Sequence, residues 1–569
     1  MWNKHSSKRL FAGSTLSIIL IATPLAIVPS ANTQPDWRFG FEWNENWPWS
    51  PGWNDPAQEV LLAKLARVGT GGGINVNGMR SWAAMQSRQG APIDFETPDT
   101  VVRLFQRQGF SMTWYLNCNA RWAWRNPSAR VKLGASMAPA RDKEDDWQNY
   151  VRAIVERYDG DGFNDMPGLI IPIQFYIMTG EVRFDRSGLG DNEDPPFWAD
   201  TIDNLLRLHR LTYAAVRQAD PTGFSKLVSS GVVLWDLYAD FPDYPQFDPT
   251  NPNSTIQRRL RGQNFKGSRY TRGWNDLKKM LDGFGNDADG IECDYIGWHP
   301  HFSWRVIDQE FALIQAHAGN KPIYVDDMWC NLFPIGYAAI PGEAQFTASR
   351  TPNRAWVSAI NGDFPNALFT ANDPYGELFQ KLNTDDPAVL RWYYANGARR
   401  LVKSFVSAFG EGAERASFSG TNDTLFLGAF RGWELGWINL LGTWEEEYPE
   451  KPQYYTYKLL VEKLRDFTAA TGIPVSTDPR TRMYRFDRPL GPVYIAWSET
   501  GEAPPNLDYR IPTGETVTFE AGSEELIVTR IITDMASTEP EVEMLSAPNG
   551  RFTIQLGYEP IILESAHAR

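Results

Sequence analysis

Cysteine and histidine are both scarce, with 3 and 6 copies in 569 residues. Three thiols, Cys118, Cys293 and Cys330, allow at most one disulfide with one thiol left over, so cross-links do not account for this fold. No Cys/His spacing fits a tetrahedral zinc site. Positive charge is in deficit. There are 55 Lys and Arg against 69 Asp and Glu, a net charge of -14, which argues against nucleic acid and anionic membrane surfaces as partners. Beyond the N-terminus no run approaches the ~20 apolar residues of a membrane span. A dinucleotide fingerprint is missing too: the glycines of GTGGGINV (69–76) precede a strand instead of opening a helix.

At the N-terminus, Lys4, Lys8 and Arg9 precede a mostly apolar run from Leu10 to Val28 and then VPSANTQP. This is the pattern of a secretory signal over 1–31, cut near Ala31, and implies a secreted, periplasmic or cell-surface protein. If it stays uncut, the same run serves as a membrane anchor. Aromatics are plentiful, at 23 Trp, 22 Tyr and 31 Phe. Most belong in a core. Where polar residues interleave the rings, as in WNENWPWSPGW (43–53) and NARWAWRN (119–126), the rings suit stacking on the C–H faces of sugars.

Strand-like and helix-like segments alternate for over 400 residues. Strands are expected at 37–43, 73–82, 111–119, within 169–181, and at 226–234, 294–300 and 321–329. A helix around 386–398 leads to RRLVKSFVSAF (399–409), read as the eighth strand. Eight strand–helix units imply a (β/α)8 TIM barrel over 36–465. From 466 to 569 short alternating runs such as PVYIAW, TVTFE and RFTIQL replace them, the texture of an antiparallel β-sandwich.

Barrel chemistry gathers where the C-terminal strand ends meet. Glu181 ends the fourth strand, and Asp326 and Asp327 end the seventh. Two carboxyls facing one another across such a mouth can cleave a glycosidic bond with retention when they stand about 5–5.5 Å apart. Proton transfer and the covalent intermediate then both come from side chains, so no cofactor is needed.

The chain resembles the clan-A retaining glycoside hydrolases, most of all the β-xylosidase and α-L-iduronidase type with its accessory β-sandwich. The likeness rests on MRSWAAMQSRQGAPIDFETPDTVVRLFQRQGFSMTWYL (79–116), on VERYDGDGFNDMPGL with IQFYIMTGEV, on FWADTIDNLLRLHRLTYAAVRQADP, on DYIGWHPHF and on KPIYVDDMW. It extends over nearly all of 37–465 and more loosely over the sandwich. The resemblance implies Glu181 as acid/base and Asp327 as nucleophile, with an oligo- or polysaccharide as the partner. There are two departures. Gly180 stands where the family carries Asn, and Asp327 stands where it carries Glu, so that Asp326 or a degenerate, glycan-binding site stays open.

Around the pair, Arg80 is expected to keep the nucleophile ionised. Apolar walls, Tyr176 or Trp298, are expected to keep Glu181 protonated. His299 and His301 are expected to hydrogen-bond sugar hydroxyls or the nucleophile, and Trp122, Trp329 and Trp433 to offer stacking faces. Separately, YDGDGFND (158–165) places Asp159, Asp161, Asn164 and Asp165 either as a calcium loop or as a tight Asp-Gly turn.

Overall fold

The computed structural model describes residues 36–43, 56–75, 81–128, 136–178, 198–233, 267–300, 304, 307–328, 330, 387–422, 440–442, 447–500 and 514–566. The expected signal, 1–31, lies outside them. The elements in chain order are β1 (Asp36–Trp43), α1 (Pro56–Ala66), β2 (Thr70–Asn75), α2 (Glu96–Arg107), β3 (Ser111–Leu116), α3 (Glu144–Tyr158), β4 (Phe175–Met178) and α4 (Ile202–Ala219). There follow β5 (Lys226–Val228), β6 (Val232–Val233), α5 (Gly267–Gly285), β7 (Ile296–His299), α6 (Ile307–Ala318), β8 (Ile323–Met328), α7 (Pro387–Glu411), β9 (Arg415–Ser419) and α8 (Pro452–Leu464).

The nine strands form one sheet in the order β5-β4-β3-β2-β1-β9-β8-β7-β6, with every pairing parallel. β5 and β6 are two halves of one stave, separated only by Ser229, Ser230 and Gly231. Val228 proves the closure: it pairs with Ile177 of β4 on one side and bridges Tyr295, just before β7, on the other. The result is an eight-stave TIM barrel.

Alternation along each strand sorts the side chains. Tyr115, Phe175, Ile177, Val228 and Tyr324 fill the lumen, while Trp114, Tyr176, Trp298, Ile323 and Val325 pack outward in the main core. At the N-terminal end Arg415 is buried, its guanidinium 4.1 Å from the Phe175 ring centroid and 5.2 Å from that of Tyr324. That cation fills the barrel floor, so chemistry belongs to the opposite rim.

Two elements differ from expectation. The second strand is TGGGIN, not GINVNGMRSW. Its glycines are there for close approach: a Cβ on Gly73 would stand 2.3 Å from Phe105 Cε1. The eighth strand is RASFS (415–419), because 399–409 belongs to the 25-residue helix α7. Leu401, Val402, Phe405, Val406 and Phe409 recur at helical spacing and are all essentially buried. The β-branched and aromatic content of that run imitates a strand, since a helix wedged between two layers needs apolar residues on most of its faces.

After α8 come β10 (Ala469–Gly472), β11 (Thr481–Asp487), β12 (Val493–Ser498), β13 (Glu515–Glu520), β14 (Glu525–Arg530), β15 (Val542–Ser546), β16 (Arg551–Leu556) and β17 (Ile561–Ser565). Six form an antiparallel sheet, β10-β11-β12-β17-β14-β15, and β13 pairs with β16. Met483, Tyr494 and Leu563 from the large sheet meet Val517, Phe519 and Ile554 from the small one, giving a sandwich core. The alternate residues Tyr484, Ile495 and Trp497 join the main core instead. β12 is therefore buried along its whole length.

Candidate active site at the barrel mouth

β8 carries the acidic pair through an irregularity in its pairing. Val325 faces Ala416 and Met328 faces Phe418, so Asp326 and Asp327 together oppose Ser417. This is a β-bulge, the device that re-aims a side chain at a strand end. Strict alternation would send Asp326 inward and Asp327 out toward the helices. With the extra residue, Met328 takes the outward position in the main core and both carboxylates approach one imidazole. His299 Nε2 is 3.1 Å from Asp326 Oδ2, and His299 Nδ1 is 3.6 Å from Asp327 Oδ2.

His299 faces inward from the end of β7, and the interruption in the fifth stave makes room for it. Gly231 lies directly beneath the ring: a Cβ there would fall 2.1 Å from His299 Nε2. Ser229 supports the same bend, accepting from Gly297 N–H at 3.0 Å. Asp326 is fully buried, whereas Asp327 keeps 9% of its surface exposed. Tyr115 O–H donates to Asp326 Oδ2 at 3.3 Å. Burial, then the negative field of Asp326, Glu42 and Asp327, pushes that phenol well above its usual range, so it stays a proton donor. Glu42 enters from β1, its Oε2 accepting from Ser419 Oγ at 2.5 Å. The rim thus assembles Glu42, Tyr115, His299, Asp326 and Asp327 from four staves. It can offer hydrogen-bond donors and acceptors to hydroxyl-rich ligands and present a carboxyl group to them.

Of the residues expected from sequence, Asp327 and His299 are brought together here. Glu181, Arg80, His301, Trp329 and Trp433 lie outside the described residues. Trp122 sits in the turn after β3, half-buried, with Nε1–H bonded to Gln86 O at 3.1 Å and its ring edge-on to Trp82 at 4.8 Å. Tyr176 and Trp298 do not wall the mouth. Both face the helices, and Trp298 Nε1–H donates to Glu310 Oε2 on α6 at 2.9 Å. Glu42 and Tyr115 were missed; their inward parity next to Gly40 and Thr113 was the available signal.

The thiols are all free and buried. In the loop after α3, Asp165 accepts from the Gly160 and Gly162 N–H groups at 3.1 and 2.8 Å, and Asp161 from Phe163 N–H at 2.7 Å. These are the bonds of an Asp-Gly turn. Burial and the neighbouring acids Asp161, Glu156 and Asp165 push Asp159 up to about 7.

No family model matches the chain, and no curated protein matches it. Solved structures similar in chain path include a family 39 glycoside hydrolase from the gut symbiont Bacteroides cellulosilyticus (TM-score 0.48, 11% identity, covering 94% of this chain and 81% of that one). A family 39 β-xylosidase from Caulobacter crescentus has TM-score 0.46 and 11% identity, covering 94% and 96%. A family 30 endoxylanase from Clostridium papyrosolvens has TM-score 0.45 and 12% identity, covering 94% and 98%. Nothing about the reaction follows from likeness at this level. Among the described residues no helix is long and apolar enough to cross a membrane.

Proposed function

We propose that this chain is an exported glycoside hydrolase that cleaves oligo- or polysaccharides with retention at the C-terminal mouth of its barrel. The observation that carries the reading is the β8 bulge, which turns two consecutive carboxylates toward a single inward-facing histidine at that rim. Asp326, sealed and bonded to two donors, fixes the ring. Asp327, with surface still exposed, is the nucleophile. In the first step Asp327 Oδ attacks the anomeric carbon as Glu181 gives its proton to the departing glycosidic oxygen. In the second, Glu181 takes a proton from water, whose oxygen displaces Asp327 and regenerates both carboxyls. Residues 1–31 are the export signal, 36–465 the catalytic domain and 466–569 the sandwich domain.

The test is hydrolysis of a panel of aryl glycosides, with the anomer of the first-formed product followed by NMR. Glu181→Gln should cost about 10²–10⁴-fold on substrates with poor leaving groups, and Asp327→Asn should abolish turnover. Inversion at the anomeric carbon would refute the mechanism. A wild-type protein that binds glycans without turning any over would make this a glycan-binding protein.

A further inference from the structure

Helix α7 runs between the barrel and the C-terminal sheets, and carboxylates of the sandwich reach it at two places among the described residues: Glu559 pairs with Arg399 at 3.3 Å, and Glu499 with Lys403. Glu499, the residue after β12, is 3% exposed. Its Oε1 lies 2.6 Å from Nζ of the fully buried Lys403 on α7. The same oxygen accepts from Trp304 Nε1–H at 3.1 Å. Trp304 belongs to the connection between β7 and α6, five residues beyond His299. Its ring stands edge-on to Trp497 of β12, centroids 5.1 Å apart.

Lys403 Nζ also lies 3.7 Å from the centroid of Tyr558, a desolvated cation against a ring face. The Tyr558 hydroxyl donates to Asn396 Oδ1 of α7 at 2.8 Å. One turn before Lys403, Arg400 Nε–H donates to the Cys330 carbonyl at 2.9 Å. Cys330 is three residues beyond Asp327. The connections leaving β7 and β8, the two strands that supply His299 and Asp327, are therefore both tied to Glu499. The first tie is direct, through Trp304. The second passes through Lys403 and Arg400 along a rigid helix.

We propose that Glu499 is a positioning residue for the barrel mouth: through it the sandwich sets where His299 and Asp327 stand. The proposal rests on the mouth being the glycosidase site. Positioning differs from mere stabilisation in what it predicts, because misplacing a nucleophile by about 1 Å costs ~10²-fold in rate even where the fold survives.

The experiment compares wild type, Trp304→Phe, Glu499→Gln and the double variant Lys403→Met/Glu499→Gln, which leaves no unpaired buried charge. Two readouts are taken: amide hydrogen exchange in peptides containing Trp304 or Cys330, and kcat and KM on an aryl glycoside. A kcat reduced at least tenfold, with KM within threefold, is expected in all three variants, with faster exchange in the Trp304 peptide in all three and in the Cys330 peptide in the two that change Glu499. The double variant should melt close to wild type yet remain slow. A double variant that recovers both stability and kcat reduces Glu499 to a stabilising group and overturns the proposal. Unchanged exchange at the Trp304 peptide in folded Trp304→Phe overturns it too. If the wild type turns over no glycoside, the hydrolase reading fails, and exchange alone decides whether the sandwich positions the mouth.

Discussion

Glu310 gives the most quantitative prediction. It sits on α6 behind β7, 4% exposed, with Trp298 Nε1–H on its Oε2. Burial, opposed only partly by that hydrogen bond, pushes its carboxyl up to about 8 from an ordinary value of 4.5. In the unfolded chain the group ionises freely above about 4.5, while in the native protein it keeps its proton to about 8. The native state then holds the extra proton, so stability falls as pH rises through this window. The slope is about 1.4 kcal/mol per pH unit, which amounts to roughly 3 kcal/mol by pH 7 and a ceiling of about 5 kcal/mol above pH 8. Below pH 4.5 both states are protonated and no loss remains. Glu310→Gln keeps the shape and an acceptor for Trp298 but cannot ionise. Its urea midpoint relative to wild type should therefore climb steadily between pH 5 and 8 and level off beyond. Other titrating groups cancel in the difference between the two proteins. Parallel stability–pH curves for the pair would refute the assignment of a neutral buried acid.

Two further substitutions test the seat of the histidine and the helix that replaced an expected strand. Gly231→Ala puts a methyl group where His299 now lies, and moving that ring by about 1 Å should lower kcat/KM ~10²-fold with the circular dichroism unchanged. Full activity in a folded variant would show that the imidazole's place is not critical. Phe405 packs 5.0 Å from Tyr457 and 6.2 Å from both Phe39 and Phe409, centroid to centroid. Phe405→Ala should cost about 3–5 kcal/mol in chemical denaturation, whereas a loss below 1 kcal/mol would mean that α7 does not bind the layers together.

The barrel was legible because its strands are short apolar runs separated by amphipathic helices, and that rhythm survives errors at individual boundaries. It failed where tertiary surroundings outweighed local composition. RRLVKSFVSAF is a helix whose polar residues Arg399, Arg400, Lys403, Ser404 and Ser407 recur at helical spacing. That stripe is buried as well, because α7 is enclosed by the barrel on one side and the sandwich on the other. In the sequence the β-branched and aromatic content of the run outweighs the period and imitates a strand. β2 was placed three residues late because glycines read as breakers when they stand alone in a sequence. Here Gly73 yields its space to Phe105, a neighbour that local sequence does not disclose.

The mouth shows the same limit more sharply. That acids lie at the end of the seventh stave could be read directly from YVDDM. Which of them faces a ligand could not, because parity along an ideal strand admits only one inward residue from any adjacent pair. The answer lies in the partner strand: β9 supplies one residue, Ser417, opposite two on β8, and only that mismatch turns both carboxylates to the same side. Once both face inward, the unlike roles proposed for them follow from solvent access. A carboxylate that is fully buried and already accepts from Tyr115 and meets His299 has no room for an anomeric carbon. Its neighbour in sequence, 3.6 Å from the same ring, keeps 9% of its surface exposed. If Asp326→Asn proved as damaging to a single-turnover glycosylation step as Asp327→Asn, this division of labour would be wrong, since a residue acting only through His299 should slow that step without abolishing it.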